Sequence, residues 1–353
     1  MTSPKLAIAS IAVDVPMGAQ NYQEHIAERA GMSLAGVDGR PWRVRRTVVR
    51  SMRSPLPGDR RIPLGAIESA PHRIRREVGR WLYGRASVVH RMNLELPPPP
   101  HGDVITLHDV VAWRYPDESS PVAAAMQEAR SADAVICVSE FTAQEAVDFL
   151  GVRGPHVIPN GVDERFYDAA PISVADRGRL GIGERYVLHA GGAARRKNLD
   201  ALADAWPRIH RERPDLQLVL AGPAHPRRTA LFGRLSGTLL LGRVPDETVP
   251  GLVAAADAVV VPSLYEGFGL PVLEAMAANT LVVAANTSSL PEVAGDAAVM
   301  VEPTAHGIAD GILTAVSGDA ALRPLVTAGR ARAGEFTWER SATAHARVWA
   351  GLG

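Results

Sequence analysis

The chain of 353 residues has one cysteine, Cys137, which excludes an internal disulfide framework and makes a reducing compartment its natural setting. No run of about 18 apolar residues occurs, so no membrane-spanning helix is expected. The apolar stretch from Leu6 to Val15 is too short for a span and reads as a first strand. No Asp-x-Asp pair and no His/Cys cluster at metal-ligand spacing is found, and the expectation is a reaction without a bound metal or other cofactor. No Gly-x-Gly-x-x-Gly follows the first strand and no acidic residue closes a second strand in the expected place, which disfavours a dinucleotide oxidoreductase. Basic and acidic side chains number 38 each, and a formal charge of zero argues against a nucleic-acid binder.

Lysine is also missing from residues 40–91, where 14 Arg face only Asp59, Glu68 and Glu77, a formal +11 balanced by −11 elsewhere. Within that segment Ile74, Val78, Trp81 and Leu82 recur at helical spacing, while Arg73, Arg75, Arg76, Arg80 and Arg85 occupy the other faces. Two readings fit. One is a solvated Arg-rich face; the other is a contact with an anionic membrane surface or an anionic acceptor.

What is present suits two α/β domains, since the length exceeds one typical core and 46% hydrophobic content fills two. Strand-like runs at Leu6–Val15, Ser87–His90, Val104–Leu107, Ala134–Val138 and Val157-Ile158 alternate with helical patterns, and Cys137 falls in one of these buried runs. Pro159 to about Ile172 has the composition of a linker. A second series follows at Tyr186–Ala190, Leu216–Ala221, Leu239–Leu241, Ala258–Val261 and Leu281–Val283, with helical stretches at Asn198 to about Arg211 and near Val249–Ala256. A repeated βαβαβ order places a ligand at the carboxyl ends of the strands.

The most informative stretch is Ser263-Leu264-Tyr265-Glu266-Gly267-Phe268-Gly269-Leu270-Pro271-Val272-Leu273-Glu274, behind the β-branched run Ala258–Val261. Pro271 suits the start of a helix, the glycines allow a sharp turn, and the N–H groups of Phe268, Gly269 and Leu270 then sit where a helix start attracts a diphosphate. Glu266 in the loop and Glu274, placed in the first helical turn, can each accept hydrogen bonds from hydroxyls; dipole stabilisation alone also explains Glu274. Arg196 and Lys197 follow Gly191-Gly192 between a strand and a helix, where a guanidinium fork and an ammonium meet phosphate oxygens at close range. His108 sits at the end of the run Val104–Leu107, a position that suits either catalysis or a structural hydrogen bond. Gly18, behind Pro16-Met17, can bring backbone N–H groups toward a phosphate, as can any ordinary turn of this kind.

The run Glu266-Gly267-Phe268-Gly269-Leu270-Pro271-Val272-Leu273-Glu274-Ala275-Met276-Ala277 resembles the signature of glycosyltransferase family 4. The segments Ala190–Leu199, Val157–Asp163, Thr106–Asp109 and Val138–Thr142 resemble further motifs of that family, from about residue 104 onward. The resemblance implies the GT-B architecture: two Rossmann-like domains facing each other across a cleft, at 1–168 for the acceptor and 169–335 for the donor, with a C-terminal helix at 336–353 crossing back to the N-terminal domain. Without it, Trp349 in that helix can equally be local core filler. The resemblance further implies a retaining transfer of a hexose-type sugar from a nucleoside-diphosphate sugar to a hydroxyl acceptor in a glycan, glycolipid or natural product, by metal-independent front-face displacement. It assigns Glu266 to the donor sugar, Glu274 to the nucleotide ribose, Arg196 and Lys197 to the leaving diphosphate, and His108 to the donor sugar or the acceptor proton. Gly18, Gly191, Gly192, Val244, Phe268, Gly269 and Leu270 complete the expected donor contacts. Some relatives carry Arg where this chain has Gly192, so phosphate contact there falls to the backbone or is absent. The implied location is cytoplasmic, including the inner face of the membrane. A nucleotide-sugar epimerase of similar architecture and a non-catalytic sugar-binding or membrane-docking protein are the remaining alternatives.

Overall fold

The computed structural model describes residues 3–14, 18–115 and 118–353. The chain divides into two compact units, Met1–Gly161 together with Trp338–Gly353, and Val162–Thr337. The divisions fall a few residues from the expected 168/169 and 335/336. Val162 N–H donates to the Phe336 carbonyl at 3.0 Å and Arg330 Nη1 to the Tyr167 carbonyl at 3.0 Å, which fastens the start of the expected linker to the second unit.

The first unit is built on a sheet of seven parallel strands, β1 (Lys5–Ile11), β2 (Arg43–Ser51), β3 (Arg60–Ile62), β4 (Val88–Arg91), β5 (Asp103–Leu107), β6 (Ala134–Cys137) and β7 (His156–Val157), in the order β3-β2-β1-β4-β5-β6-β7. Strands β4, β5 and β6 are buried at every residue, as strands covered on both faces by helices must be. Sequence reading missed β2 and β3 because Arg43, Arg45, Arg46 and Arg50 mask the β-branched Val44, Thr47, Val48 and Val49 that make β2 a strand.

The helix His72–Tyr83 corrects the placement of Arg75, expected on its polar faces. Its buried residues are Arg75, Gly79, Leu82 and Tyr83, so the apolar stripe is split, with Leu82 inside and Ile74 and Trp81 54% and 65% exposed. Arg75 goes inside because it has partners there: its Nε donates to Glu128 Oε1 at 2.5 Å, and its Nη2 to the Leu94 and Leu96 carbonyls at 2.8 and 3.0 Å. Arg91 Nη1 reaches Glu128 Oε2 at 2.9 Å and grips Asp103 with two bonds of 2.8 Å. These four charges compensate one another, the condition on which a core accepts them.

The C-terminal helix Trp338–Leu352 lies in the first unit, beside the helix Gly18–Asp38, with Trp338 and Trp349 in one core cluster with Leu6, Ile8, Tyr22 and Ile26. A buried polar chain fixes it. His345 Nδ1 lies 2.8 Å from the Ser341 carbonyl and so carries the proton, leaving Nε2 to accept from Tyr22 O–H at 2.7 Å; Thr106 Oγ1 lies 2.8 Å from both Tyr22 Oη and His90 Nε2.

The second unit holds six parallel strands, β8 (Arg185–Ala190), β9 (Leu216–Ala221), β10 (Thr238–Gly242), β11 (Ala258–Val261), β12 (Val282–Ala285) and β13 (Val299–Val301), in the order β10-β9-β8-β11-β12-β13. In both sheets strand order reverses beside the first strand, between β1 and β4 and between β8 and β11, and such a reversal opens a crevice for ligands at the carboxyl ends.

Burial pushes His345 and His108 down to about 4, and His90 well below its usual value. Each ring is neutral when folded and protonates more readily when unfolded, so its stabilising effect is complete above pH ~6.5 and is lost as pH falls, toward ~4 and on the order of 3 kcal/mol for each of His345 and His108. The thermal midpoint should therefore drop between pH 7 and 5, and His345→Gln should shrink that drop; an unchanged pH dependence in the variant would contradict the role given to His345.

Candidate functional site

At the strand-order reversal of the second unit, the loop after β8 (Gly191–Lys197) meets the loop after β11 (Pro262–Gly269). Leu264 N–H donates to the Arg196 carbonyl at 2.7 Å, and Arg196 Nη1 to the Tyr265 carbonyl at 3.2 Å. Between the loops lies Glu266, buried, its Oε1 accepting from Lys197 Nζ at 2.6 Å and from Ser263 Oγ at 2.8 Å, with Arg196 Nη1 3.5 Å from Oε2. Burial alone would raise this carboxyl, but the charges of Lys197 and Arg196 and the bonds from Lys197 and Ser263 outweigh it, and Glu266 is held below the ordinary carboxylate value.

The loop's shape is set from both sides. Asn198, in the left-handed region at φ 56°, opens the helix Leu199–Glu212 and donates through Nδ2 to the carbonyls of Pro262 and Pro303 at 3.0 and 2.9 Å. After β12, Ser288 Oγ accepts from Glu266 N–H at 3.0 Å, and Ser289 Oγ lies 2.9 and 2.8 Å from the carbonyls of Glu266 and Phe268. Gly269 adopts φ 108°, and a Cβ there would stand 2.8 Å from Leu290 Cδ2, so the turn into the helix Leu270–Ala277 requires glycine. The N–H groups of Phe268, Gly269 and Leu270 have no acceptor among the described residues and lie at that helix start, where an anion is favoured.

Glu274 is the fifth residue of that helix, past the first turn where sequence placed it, so stabilisation of the helix start does not account for it. Burial pushes its carboxyl up to about 7, with Asp163 adding to the rise and Arg165 opposing it. Asp163 and Arg165, paired at 2.8 Å, are neighbours that sequence did not connect with Glu274, because they lie in the stretch taken for a linker. Ser263, Ser288 and Ser289 were missed as well; the only signal for the last two is a Ser-Ser pair after an apolar strand.

The remaining residues divide by unit. Gly191 and Gly192 begin the loop with Arg196 and Lys197, and Val244 is half-buried in the coil after β10. In the first unit, half-buried His108 follows β5, its ring edge-on to Tyr22 at 4.7 Å between centroids. Its Nε2 is enclosed with no partner, and burial drives it down to about 4 against the opposing charge of Asp109, so it is a neutral imidazole at neutral pH. His108, Asp109, Asn93, Glu95 and Trp113 line a cavity of about 220 Å³. Gly18 opens the helix Gly18–Asp38 and is exposed; Pro16 and Met17 lie outside the described residues.

Residues 19–166 match the family profile described as Glycosyltransferase Family 4, and residues 184–317 the one described as Glycosyl transferases group 1. The O-antigen chain mannosyltransferase B of Escherichia coli is 32% identical over 276 residues, 72% of each chain. A GDP-mannose-dependent alpha-(1-6)-phosphatidylinositol dimannoside mannosyltransferase of Mycobacterium tuberculosis is 31% identical over 215 residues, 60% of this chain and 55% of that protein. Among solved structures, sucrose-phosphate synthase from Thermosynechococcus elongatus superposes with a TM-score of 0.75 over 99% of both chains at 22% identity, a likeness of fold. The chain belongs to glycosyltransferase family 4 and has its two-Rossmann architecture.

The Glu274 carboxyl is raised to about 7, and its ionised form, charged and acceptor-only, takes hydrogen bonds from hydroxyls more strongly than the neutral acid. Affinity for the preferred nucleoside diphosphate should therefore rise about 3- to 10-fold between pH 6 and 8, while Glu274→Gln should flatten the profile. Calorimetric titration at several pH values checks this, and a profile unaltered by the substitution would overturn the expectation that Glu274 meets the nucleotide ribose.

Proposed function

We propose that the chain is a retaining, metal-independent hexosyltransferase that moves a sugar from a nucleoside-diphosphate donor to a hydroxyl acceptor. The observation that carries this reading is Glu266 clasped by Lys197 and Arg196, beside the unpartnered N–H groups of Phe268, Gly269 and Leu270. Departure of a diphosphate from an anomeric carbon builds negative charge on the leaving oxygen and positive charge on the sugar, and catalysis must meet both. The helix-start N–H groups with Arg196 and Lys197 answer the first; Glu266, ionised throughout the neutral range, faces the sugar hydroxyls and its developing charge. Before the donor arrives the carboxylate and the cations neutralise each other. A diphosphate draws Lys197 and Arg196 toward its oxygens, and Glu266 exchanges their N–H donors for sugar O–H donors.

Neutral His108 supplies a lone pair or an N–H to the sugar or the acceptor proton without adding charge. Both relatives are named as mannosyltransferases and the mycobacterial one as GDP-mannose-dependent, which directs the donor reading to GDP-mannose. In a thermal-shift panel of GDP, UDP, dTDP and ADP, GDP should give the largest stabilisation, about 2.7 kcal/mol at 100 times its dissociation constant. With GDP-mannose and a sugar acceptor, NMR of the product should show the donor's anomeric configuration, and EDTA should leave the rate unchanged. An inverted linkage would reject the retaining mechanism. Glu266→Gln should lower kcat by about 100-fold or more without weakening GDP binding, since the substitution frees Lys197 and Arg196 for the diphosphate and removes only the carboxylate assigned to the sugar.

A second reading concerns the helix His72–Tyr83, and we propose that it docks on an anionic phospholipid surface. Ile74 and Trp81 face solvent with half-buried Val78 between them, at i, i+7 and i+4, and Arg73, Arg76, Arg80 and Arg85 stand exposed beside them against the single acid Glu77. Trp81 also borders a cavity of about 330 Å³ at the amino ends of β1, β2 and β3, lined by Lys5, Arg43, Arg45, Arg60 and Arg85. An apolar stripe rimmed by cations complements lipid headgroups. In co-sedimentation, vesicles containing phosphatidylglycerol should retain the protein, phosphatidylcholine alone should not, and Ile74→Ser with Trp81→Ser should lower binding about 10-fold or more. Equal binding to both vesicle types would leave the face as a solvated surface.

A further inference from the structure

Gly192 brings no side chain to the loop after β8, and the charge behind that loop comes from another element of the second unit. The helix Pro226–Phe232 follows β9 and carries Arg227 and Arg228 side by side. Arg228 is 2% exposed; its Nη1 donates to the Pro223 carbonyl at 3.1 Å and its Nη2 to the Gly191 carbonyl, while its Nε is buried without a partner. No carboxylate pairs with it among the described residues, unlike Arg227, which meets Asp200 and donates through Nη1 to the Ala193 carbonyl at 2.9 Å. A buried guanidinium without a counter-ion is costly, and burial accordingly lowers the proton affinity of Arg228.

The Gly191 carbonyl is clamped from a second side by Gly222, at φ 140°, where a Cβ would stand 2.1 Å from that oxygen. In a trans peptide the C=O and the next N–H point in opposite directions, so turning the Gly191 carbonyl toward Arg228 turns the Gly192 N–H away from it. The same holds for the Ala193 carbonyl and the Ala194 N–H. Neither N–H has an acceptor among the described residues. Beneath the loop His189, 3% exposed, lies 3.2 Å through Nδ1 from the Val260 carbonyl, which leaves Nε2 an enclosed lone pair without a donor.

We infer that Arg228 is the positioning residue of the donor-phosphate loop: it fixes the Gly191–Gly192 peptide so that its N–H faces the diphosphate, and the missing counter-ion of its guanidinium is the ligand's own charge. This rests on the proposed binding of a nucleoside diphosphate and adds to it a charge from outside the family's motif. Arg228 thereby supplies, from behind the loop, a positive charge that Gly192 cannot.

The test compares GDP with GMP, and UDP with UMP, by calorimetric titration. Arg228→Met should weaken the preferred diphosphate about 30-fold and its monophosphate less than about 3-fold, because the charge behind the loop and the orientation of the Gly192 N–H act most strongly on the nucleotide with the greater phosphate charge. Arg228→Lys should restore most of that diphosphate preference and Arg228→Gln should not. A merely structural role would lower both nucleotides together or neither. Should Arg228→Met fail to fold, the Lys and Gln variants carry the comparison, and equal diphosphate-to-monophosphate ratios in those two would overturn the inference. A wild-type chain that binds no nucleoside diphosphate would instead overturn the donor reading on which it rests.

Discussion

A carboxylate in the interior must be neutralised, and the second unit is organised around satisfying that requirement for Glu266. Lys197 and Arg196 reach it from the loop after β8, and Ser263 from the end of β11. Isolated burial of such a charge costs several kcal/mol, whereas a paired and hydrogen-bonded carboxylate is tolerated. The pairing therefore also locks two loops that belong to different βα units. It does so at the point where strand order reverses, the one place in the sheet where the connections leave on opposite sides and open a crevice. The geometry of the family motif is thus a consequence of electrostatics acting at a topological gap.

Much of this was legible in the residues. Short β-branched runs between helical patterns gave most of the strand positions, since a doubly covered strand announces itself by having no polar face. The strands β9 and β11 fall where the pattern placed them, at Leu216–Ala221 and Ala258–Val261. The motif residues Arg196, Lys197 and Glu266 meet in space, though as an ion-paired cluster that the sequence did not indicate. What stayed hidden depends on partners distant in sequence. Strand β2 is obscured by its own arginines, and Arg75 looks like a surface charge until Glu128, far along the chain, is brought against it. Arg228 has no motif at all; only the fold reveals that its guanidinium ends on the Gly191 carbonyl.

The arginines of residues 40–91 show why a charge count does not locate a charge. Arg75 and Arg91 are spent inside on Glu128 and Asp103, and Arg46 meets Glu24. Arg73, Arg76, Arg80 and Arg85 stay outside, on or beside the helix whose Ile74 and Trp81 face solvent. Guanidinium suits both fates, because its planar fork saturates a buried carboxylate with two bonds and its weak hydration lets it lie beside aromatic and apolar surface. Arg75 also sets the rotation of its helix. Arg75 can enter the core only by turning the residues one position before it, Ile74 among them, toward solvent, since adjacent positions on a helix lie about 100° apart. The ion network with Glu128 and the exposed apolar stripe are therefore two results of one rotation about the helix axis.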